Sequence, residues 1–359
     1  MQNKVLIVGA SGLVGTAASI SFAREGWQVI AASRRRPELL DHANIDFAAM
    51  DLQDKDACAA ACAKLRGITH IVYTAVYELP GLIDGWSDPV QINTNGQMLE
   101  NLLDAITESN RLQHVTLLQG TKAYGAMVRP MRIPARESQP RVEHPNFYWL
   151  QEDFLRTHAK HHDYDFTILR PQMIVGPNHG VVMNLPPVVG VYAALRKAEG
   201  LPLAFPGGID RALEAVDVRL VGDSCLWAAT HQCAQGETYN LTNGEVFSWR
   251  DMWPAIAQTL EVQLGEDESL SVADYVTERE PLWQNVVARH NLAPNTLKQI
   301  VGESHHYADL CFAHGVSEPT PPIFVSTVKI HQAGFTHTYN SEKSFCYWLN
   351  DLRTRRIIP

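Results

Sequence analysis

Apolar positions in the first half of the chain alternate between two periods. Short β-branched or apolar runs at Val5–Val8, Gln28–Ala32, Asp46–Met50, Ile68–Thr74, His114–Leu118 and Phe166–Leu169 predict strands. Stretches with helical spacing at Leu13–Arg24, Asp54–Leu65, Val90–Ser109 and Asn146–His161 predict helices between them. Such alternation predicts a doubly wound α/β fold, a parallel sheet with helices on both faces. Sheets of this kind bind ligands at the carboxyl ends of their strands. After Gly176 the pattern loosens, with Pro177, Gly180, Pro186, Pro187, Gly207 and Gly208 interrupting it. Amphipathic stretches around Val188–Ala198 and Trp249–Leu260 follow.

The first strand runs into Gly9-Ala-Ser11-Gly12-Leu13-Val14-Gly15 and then into the first helix. In that context the first glycine permits a tight turn, the second lets backbone approach a pyrophosphate, and the third lets helix and strand pack closely. The helix terminus offers free N–H groups and a partial positive charge to phosphate. The sheet is therefore read as Rossmann-type. Residues 1–176 form the expected dinucleotide-binding domain, and 177–359 a smaller substrate-binding region with segments returning to the main sheet. An NAD site wants a carboxylate at the end of the second strand. Here Ser33-Arg34-Arg35-Arg36 stands there, and guanidinium groups suit a 2′-phosphate. NADPH is the expected cofactor. Asp51-Leu52 after the third strand is expected to meet the adenine, and Thr74-Ala75 after the fourth to lie along the cofactor.

Composition changes this picture little. The 359 residues are 45% hydrophobic, 8% aromatic and 19% charged, which is ordinary for a globular protein. A formal charge of −9 argues against nucleic acid as a partner. No apolar stretch reaches the length of a membrane span and no signal-peptide pattern opens the chain, so a cytoplasmic location without membrane association is expected. None of the six cysteines forms a CxxC pair, and neither His161-His162 nor His305-His306 has the spacing or partners of a metal site. No metal is expected. Trp227, Trp249 and Trp253 read as core or pocket wall. The oligomeric state stays open, a homodimer being one expectation, and so does the role of residues 274–306.

The fold suggests the short-chain dehydrogenase superfamily and directs attention to the carboxyl ends of the strands. Short-chain dehydrogenases usually place a Lys four residues after a Tyr on one helix. Here Asn146-Phe147-Tyr148 carries the Tyr, but Glu152 takes the place of the Lys and is expected to raise the phenol pKa. A lysine occurs instead in Gln119-Gly120-Thr121-Lys122-Ala123-Tyr124, where Gly120 replaces the usual Ser or Thr. The Gly-x-Lys-x-Tyr and Asn-Phe-Tyr segments together resemble the progesterone 5β-reductase and iridoid synthase-like enone reductases of the extended short-chain dehydrogenase/reductase superfamily. Further similar stretches are Arg170-Pro171-Gln-Met173-Ile174-Val-Gly176-Pro177, Met183-Asn-Leu185, Val191-Tyr192-Ala-Ala194, Phe205-Pro-Gly207 and Tyr239-Asn-Leu-Thr-Asn-Gly244. The resemblance runs from residue 4 to about residue 260. It departs at Trp149, where a second tyrosine is frequent, and in the segment after Tyr124.

The resemblance implies a reductase that delivers hydride from NADPH to the β-carbon of an α,β-unsaturated carbonyl. Tyr148 is then the donor to the enolate oxygen. Lys122 fixes Tyr148, contacts the oxygen or ribose, and lowers the phenol pKa by its charge. Backbone around Met173-Ile174 is implied to hold the nicotinamide carboxamide, beside Gln119 and Pro171. Tyr124, Trp149, Met183 and Tyr192, with Val181, Leu185 and Val188, are expected to line an apolar pocket for a small hydrophobic carbonyl compound. The alternatives are a carbonyl reductase or sugar-nucleotide epimerase or dehydratase on the same fold, and a non-enzymatic NADP-sensing regulator. Glu152 and Gly120 weigh against the former, and the Lys122–Tyr148 combination against the latter.

Overall fold

The computed structural model describes residues 3–80, 82–293 and 296–359. Its first half realises the expected alternation. Strands β1 (Lys4–Val8), β2 (Gln28–Ser33), β3 (Ile45–Ala49), β4 (His70–Tyr73), β5 (His114–Leu118) and β6 (Asp165–Pro171) are joined in parallel register. Helices α1 (Leu13–Arg24), α2 (Lys55–Cys62), α3 (Pro89–Thr107) and α4 (Phe147–His162) cross between them. Strands β1 and β4 are almost wholly buried, as apolar runs covered on both faces must be. Helix starts follow their caps. Asp54 accepts from Ala57 N, Asp88 from Val90 N ahead of Pro89, and Asn146 from Tyr148 N.

The second half adds β7 (Met173–Val175), α5 (Leu185–Ala198), β8 (Leu213–Asp217), α6 (Val218–Thr230), β9 (Thr238–Leu241), β10 (Val246–Phe247) and α7 (Trp249–Thr259). Strand β9 pairs in parallel with β6, giving a seven-stranded sheet of order β3-β2-β1-β4-β5-β6-β9. A separate three-stranded sheet, β10-β8-β7, lies downstream of β6. Asp217 is completely buried. It caps α6, pairs with Arg219 at 2.7 Å and accepts from Trp348 Nε1 at 3.1 Å. The chain then forms short helices: α8 (Val272–Thr277), α9 (Glu280–His290), α10 (Leu297–Val301), α11 (Ser304–Cys311), α12 (Val328–Gln332) and the longer α13 (Ser341–Thr354). The described residues within 274–306, a stretch whose role the sequence left open, supply part of the core around α5, including Trp283, Ile300 and Val301. No helix among the described residues is long and apolar enough to cross a membrane. Among them, no group of three or more His, Cys, Asp or Glu could hold a metal ion.

Candidate active site

The glycine turn is built by exclusion. Gly9 has a φ of +85°, and a Cβ there would lie 2.7 Å from Ala75 N. A Cβ on Gly15 would lie 2.3 Å from Gly9 O, so helix and strand can meet only without one. Thr74 locks the neighbouring strand end to β1, its Oγ1 donating to Val8 O at 2.8 Å. The amino end of α1 has no side-chain cap and no acidic residue in its first turn. Gly12, Leu13 and Val14 present this end to a cavity of about 380 Å³. An uncapped terminus of a three-turn helix facing a cavity fits a phosphate-bearing ligand. Ser11 is exposed beside it, its carbonyl accepting from Asn178 Nδ2 at 3.4 Å. Arg34 and Arg35 are exposed at the end of β2, and among the described residues neither guanidinium has a carboxylate partner. Ser33 Oγ donates to Arg35 O at 2.6 Å and shapes that turn. Asp51 caps its own turn by accepting from Gln53 N, while the Leu52 side chain is buried in the core.

The same cavity wall continues through Thr74, Ala75, Gln119, Pro171, Met173 and Ile174 to Lys122 and Tyr148. Tyr148 projects from the first turn of α4, edge-on to Phe147 at 4.7 Å. A Cβ on Gly120 would lie 3.2 Å from the Tyr148 hydroxyl, so the missing side chain at the end of β5 makes room for the phenol. Lys122 lies in a single 3₁₀ turn, Thr121–Tyr124, immediately after that strand. Its Nζ sits 3.7 Å from the centre of the Trp86 ring. Burial draws the Lys122 pKa down to about 8 against the opposing charge of Glu78. The expected depression of the Tyr148 pKa is overturned. Burial raises it, Glu78 raises it further, and Arg170 only partly offsets them. The Tyr148 phenol is therefore protonated at ordinary pH.

Glu152, one turn along α4, is buried and meets three guanidinium groups, one buried and two exposed. It accepts from Arg156 Nε at 3.0 Å and pairs with Arg141 at 3.1 Å and with Arg170 at 3.4 Å. Burial alone would raise its pKa, but the hydrogen bonds of Arg156 and Arg141 outweigh it and hold the carboxyl below its usual value. Gln119 joins the cluster, accepting from Arg170 Nε at 2.9 Å and donating to the Tyr148 carbonyl at 3.3 Å. The position that a lysine usually fills thus carries the anion that anchors Arg170.

Residues 5–242 match the NAD dependent epimerase/dehydratase family. The chain belongs to that family. Over its whole length it is 30% identical to an (S)-8-oxocitronellyl enol synthase of Antirrhinum majus, covering 93% of that protein. It is 29% identical to a 3-oxo-Delta(4,5)-steroid 5-beta-reductase of Arabidopsis thaliana, covering 94% of it. The fold is shared with the Bordetella bronchiseptica enzyme WbmH, solved in complex with NAD+. That likeness has a TM-score of 0.68 at 17% identity over 99% of each chain. The chain is thus an oxidoreductase of the NAD dependent epimerase/dehydratase family with a nicotinamide dinucleotide site, in the subgroup its sequence resembles.

Within this family member, five expected pocket residues stand elsewhere. Tyr192 is fully buried on α5, its hydroxyl donating to Ala204 O at 3.1 Å and its ring edge-on to Tyr275. Trp149 lies next to Tyr148 in sequence but is turned about 100° around the helix. Its Nε1 donates to Val142 O at 3.3 Å and its ring meets Arg141. Tyr124 is buried, donating to Asn240 Oδ1 at 2.6 Å beneath the Arg170 guanidinium. Leu185 and Val188 are core, while Val181 and Met183 do line the cavity. The sequence reading missed Glu78, Trp86, Arg211, Glu214 and Tyr307, all on the cavity wall. They lie in irregular connections, near a strand end or on a short helix. No periodicity points to them.

Proposed function

We propose that this chain is an NADPH-dependent reductase of α,β-unsaturated carbonyl compounds, with hydride going to the β-carbon. The observation that carries this reading is a single cavity wall shared by the uncapped amino end of α1, the Tyr148 phenol and Lys122. NADPH, when bound, supplies the hydride. Negative charge then collects on the substrate oxygen as an enolate. Tyr148 donates a hydrogen bond to that oxygen, and the Lys122 ammonium adds its charge. Both contacts strengthen as the charge develops, which lowers the barrier rather than merely tightening binding. The raised Tyr148 pKa suits this role, because the hydroxyl stays protonated throughout. Solvent supplies the proton for the α-carbon. Apolar wall residues such as Val76, Met127 and Met183 suit a hydrophobic substrate. The names of the relatives, an enol synthase and an oxo-steroid 5-beta-reductase, support the same class of chemistry.

The test is NADPH oxidation followed by absorbance with enones, saturated aldehydes and UDP-sugars. Enone-dependent turnover is expected. Turnover of saturated aldehydes or UDP-sugars alone overturns the proposal. Cofactor choice rests on the free guanidinium groups after β2. Arg34→Ala and Arg35→Ala should each weaken NADPH binding about tenfold to a hundredfold, the worth of a charged hydrogen bond, and leave NADH binding nearly unchanged. Titration by calorimetry measures both, and equal losses for the two nucleotides contradict the assignment.

A further inference from the structure

We propose that Glu78 and Trp86 form a seat for the Lys122 ammonium and act as positioning residues for it. The proposal rests on the reading that Lys122 serves the reaction. Both residues come from the irregular connection between β4 and α3, and two fully buried side chains of α3 pin that connection in place. Asn95 accepts from Tyr77 N and donates to Tyr77 O, each at 2.8 Å. Gln91 accepts from Leu79 N at 2.8 Å and donates from Nε2 to the Glu78 carboxylate at 2.6 Å. The carboxylate is therefore held from behind by a rigid helix, on the wall it shares with Lys122 and Tyr148.

Trp86 arrives from the other end of the connection, on the 3₁₀ turn Asp84–Ser87. That turn closes on Gln91 as well, since a Cβ on Gly85 would lie 2.4 Å from Gln91 Oε1. One buried glutamine thus fixes both parts of the seat. The indole face then lies under the Lys122 Nζ, 3.7 Å from the ring centre. A ring face and a carboxylate both favour an ammonium over an amine. The surrounding wall is largely apolar and works in the opposite direction. If nothing opposed that burial, a smaller fraction of the lysine would carry its charge. Other ionisable groups on the wall are Tyr148, Arg211, Glu214, Tyr307 and Cys311. Glu78 is the charge that acts on Lys122 against burial, consistent with a pKa held near 8 rather than lower.

Two readouts on the full chain test this. The first is acetylation of Lys122 by a trace of acetic anhydride, read by peptide mass spectrometry from pH 6 to pH 10 without cofactor or substrate. The wild-type midpoint should fall at about 8. Glu78→Gln should lower it by about one unit, a tenfold smaller ammonium-to-amine ratio, and Trp86→Leu by about half a unit. The second is the ratio of enone kcat/KM at pH 6 to that at pH 8, which should rise from about 2 in the wild type to about 10 in Glu78→Gln, roughly fivefold. A Glu78 that only stabilises the fold lowers both rates alike and leaves the midpoint in place. An unmoved midpoint in Glu78→Gln overturns the proposal, and one in Trp86→Leu removes the indole from it. A shifted midpoint in a protein that turns over no enone leaves the seat standing and refutes the enone reading instead.

Discussion

Tyr148→Phe should lower kcat for enone reduction by about 10²–10³, the usual cost of one lost donor to a developing oxyanion. The substitution removes one oxygen and little else. The ring keeps its edge contact with Phe147, and the Asn146 cap bonds the backbone N–H of residue 148, not its side chain. Cofactor binding should be unaffected, because Gly12–Val14 and the end of β2 lie on other elements. Steady-state kinetics with a fixed enone, together with calorimetric NADPH affinity, separates these effects. A loss under about threefold would mean that another group stabilises the enolate, and Lys122 would be the first to examine.

The second large effect is on stability. Glu152→Ala should cost about 3–5 kcal/mol, because it leaves Arg170 buried without its anion. The exposed partners Arg141 and Arg156 turn to water and contribute little of this loss. The direction with pH follows from the lowered Glu152 pKa. Its contribution is present above the unfolded carboxyl pKa and disappears as pH falls through the lower folded value. Urea unfolding at pH 7 and at low pH should therefore show a large gap between wild type and variant that narrows in acid. Glu152→Lys, which places a lysine four residues after the tyrosine, should be worse still. It adds a cation where Arg141, Arg156 and Arg170 already converge.

These residues also show what was legible in the chain. Helix Leu13–Arg24 and strand His114–Leu118 were readable to the residue, because the glycine turn before the helix and the apolar run of the strand mark them. The glycine turn and Lys122 could be found because the ends of parallel strands collect functional groups, and Tyr148 because its Asn-Phe-Tyr segment resembles that of the enone reductases. The second half was harder to read for a physical reason. Strands β7 and β10 have three and two residues, and α8, α10 and α11 have at most eight, too few for a period to emerge. Tyr192 was misplaced because every residue of α5 from Leu185 to Arg196 is buried. A helix apolar all round gives no clue to which side faces a cavity. Glu78 and Trp86 depend on the path of an irregular connection, and that path is set by two buried amides of α3.

The central claim concerns where the hydride goes. The measurement is reduction of a simple enone with NADPH carrying deuterium at C4 of the nicotinamide, on each face in turn, followed by NMR of the product. We expect one of the two labels to appear solely on the β-carbon, with the carbonyl retained. Deuterium on the carbonyl carbon, as an alcohol, would contradict the account.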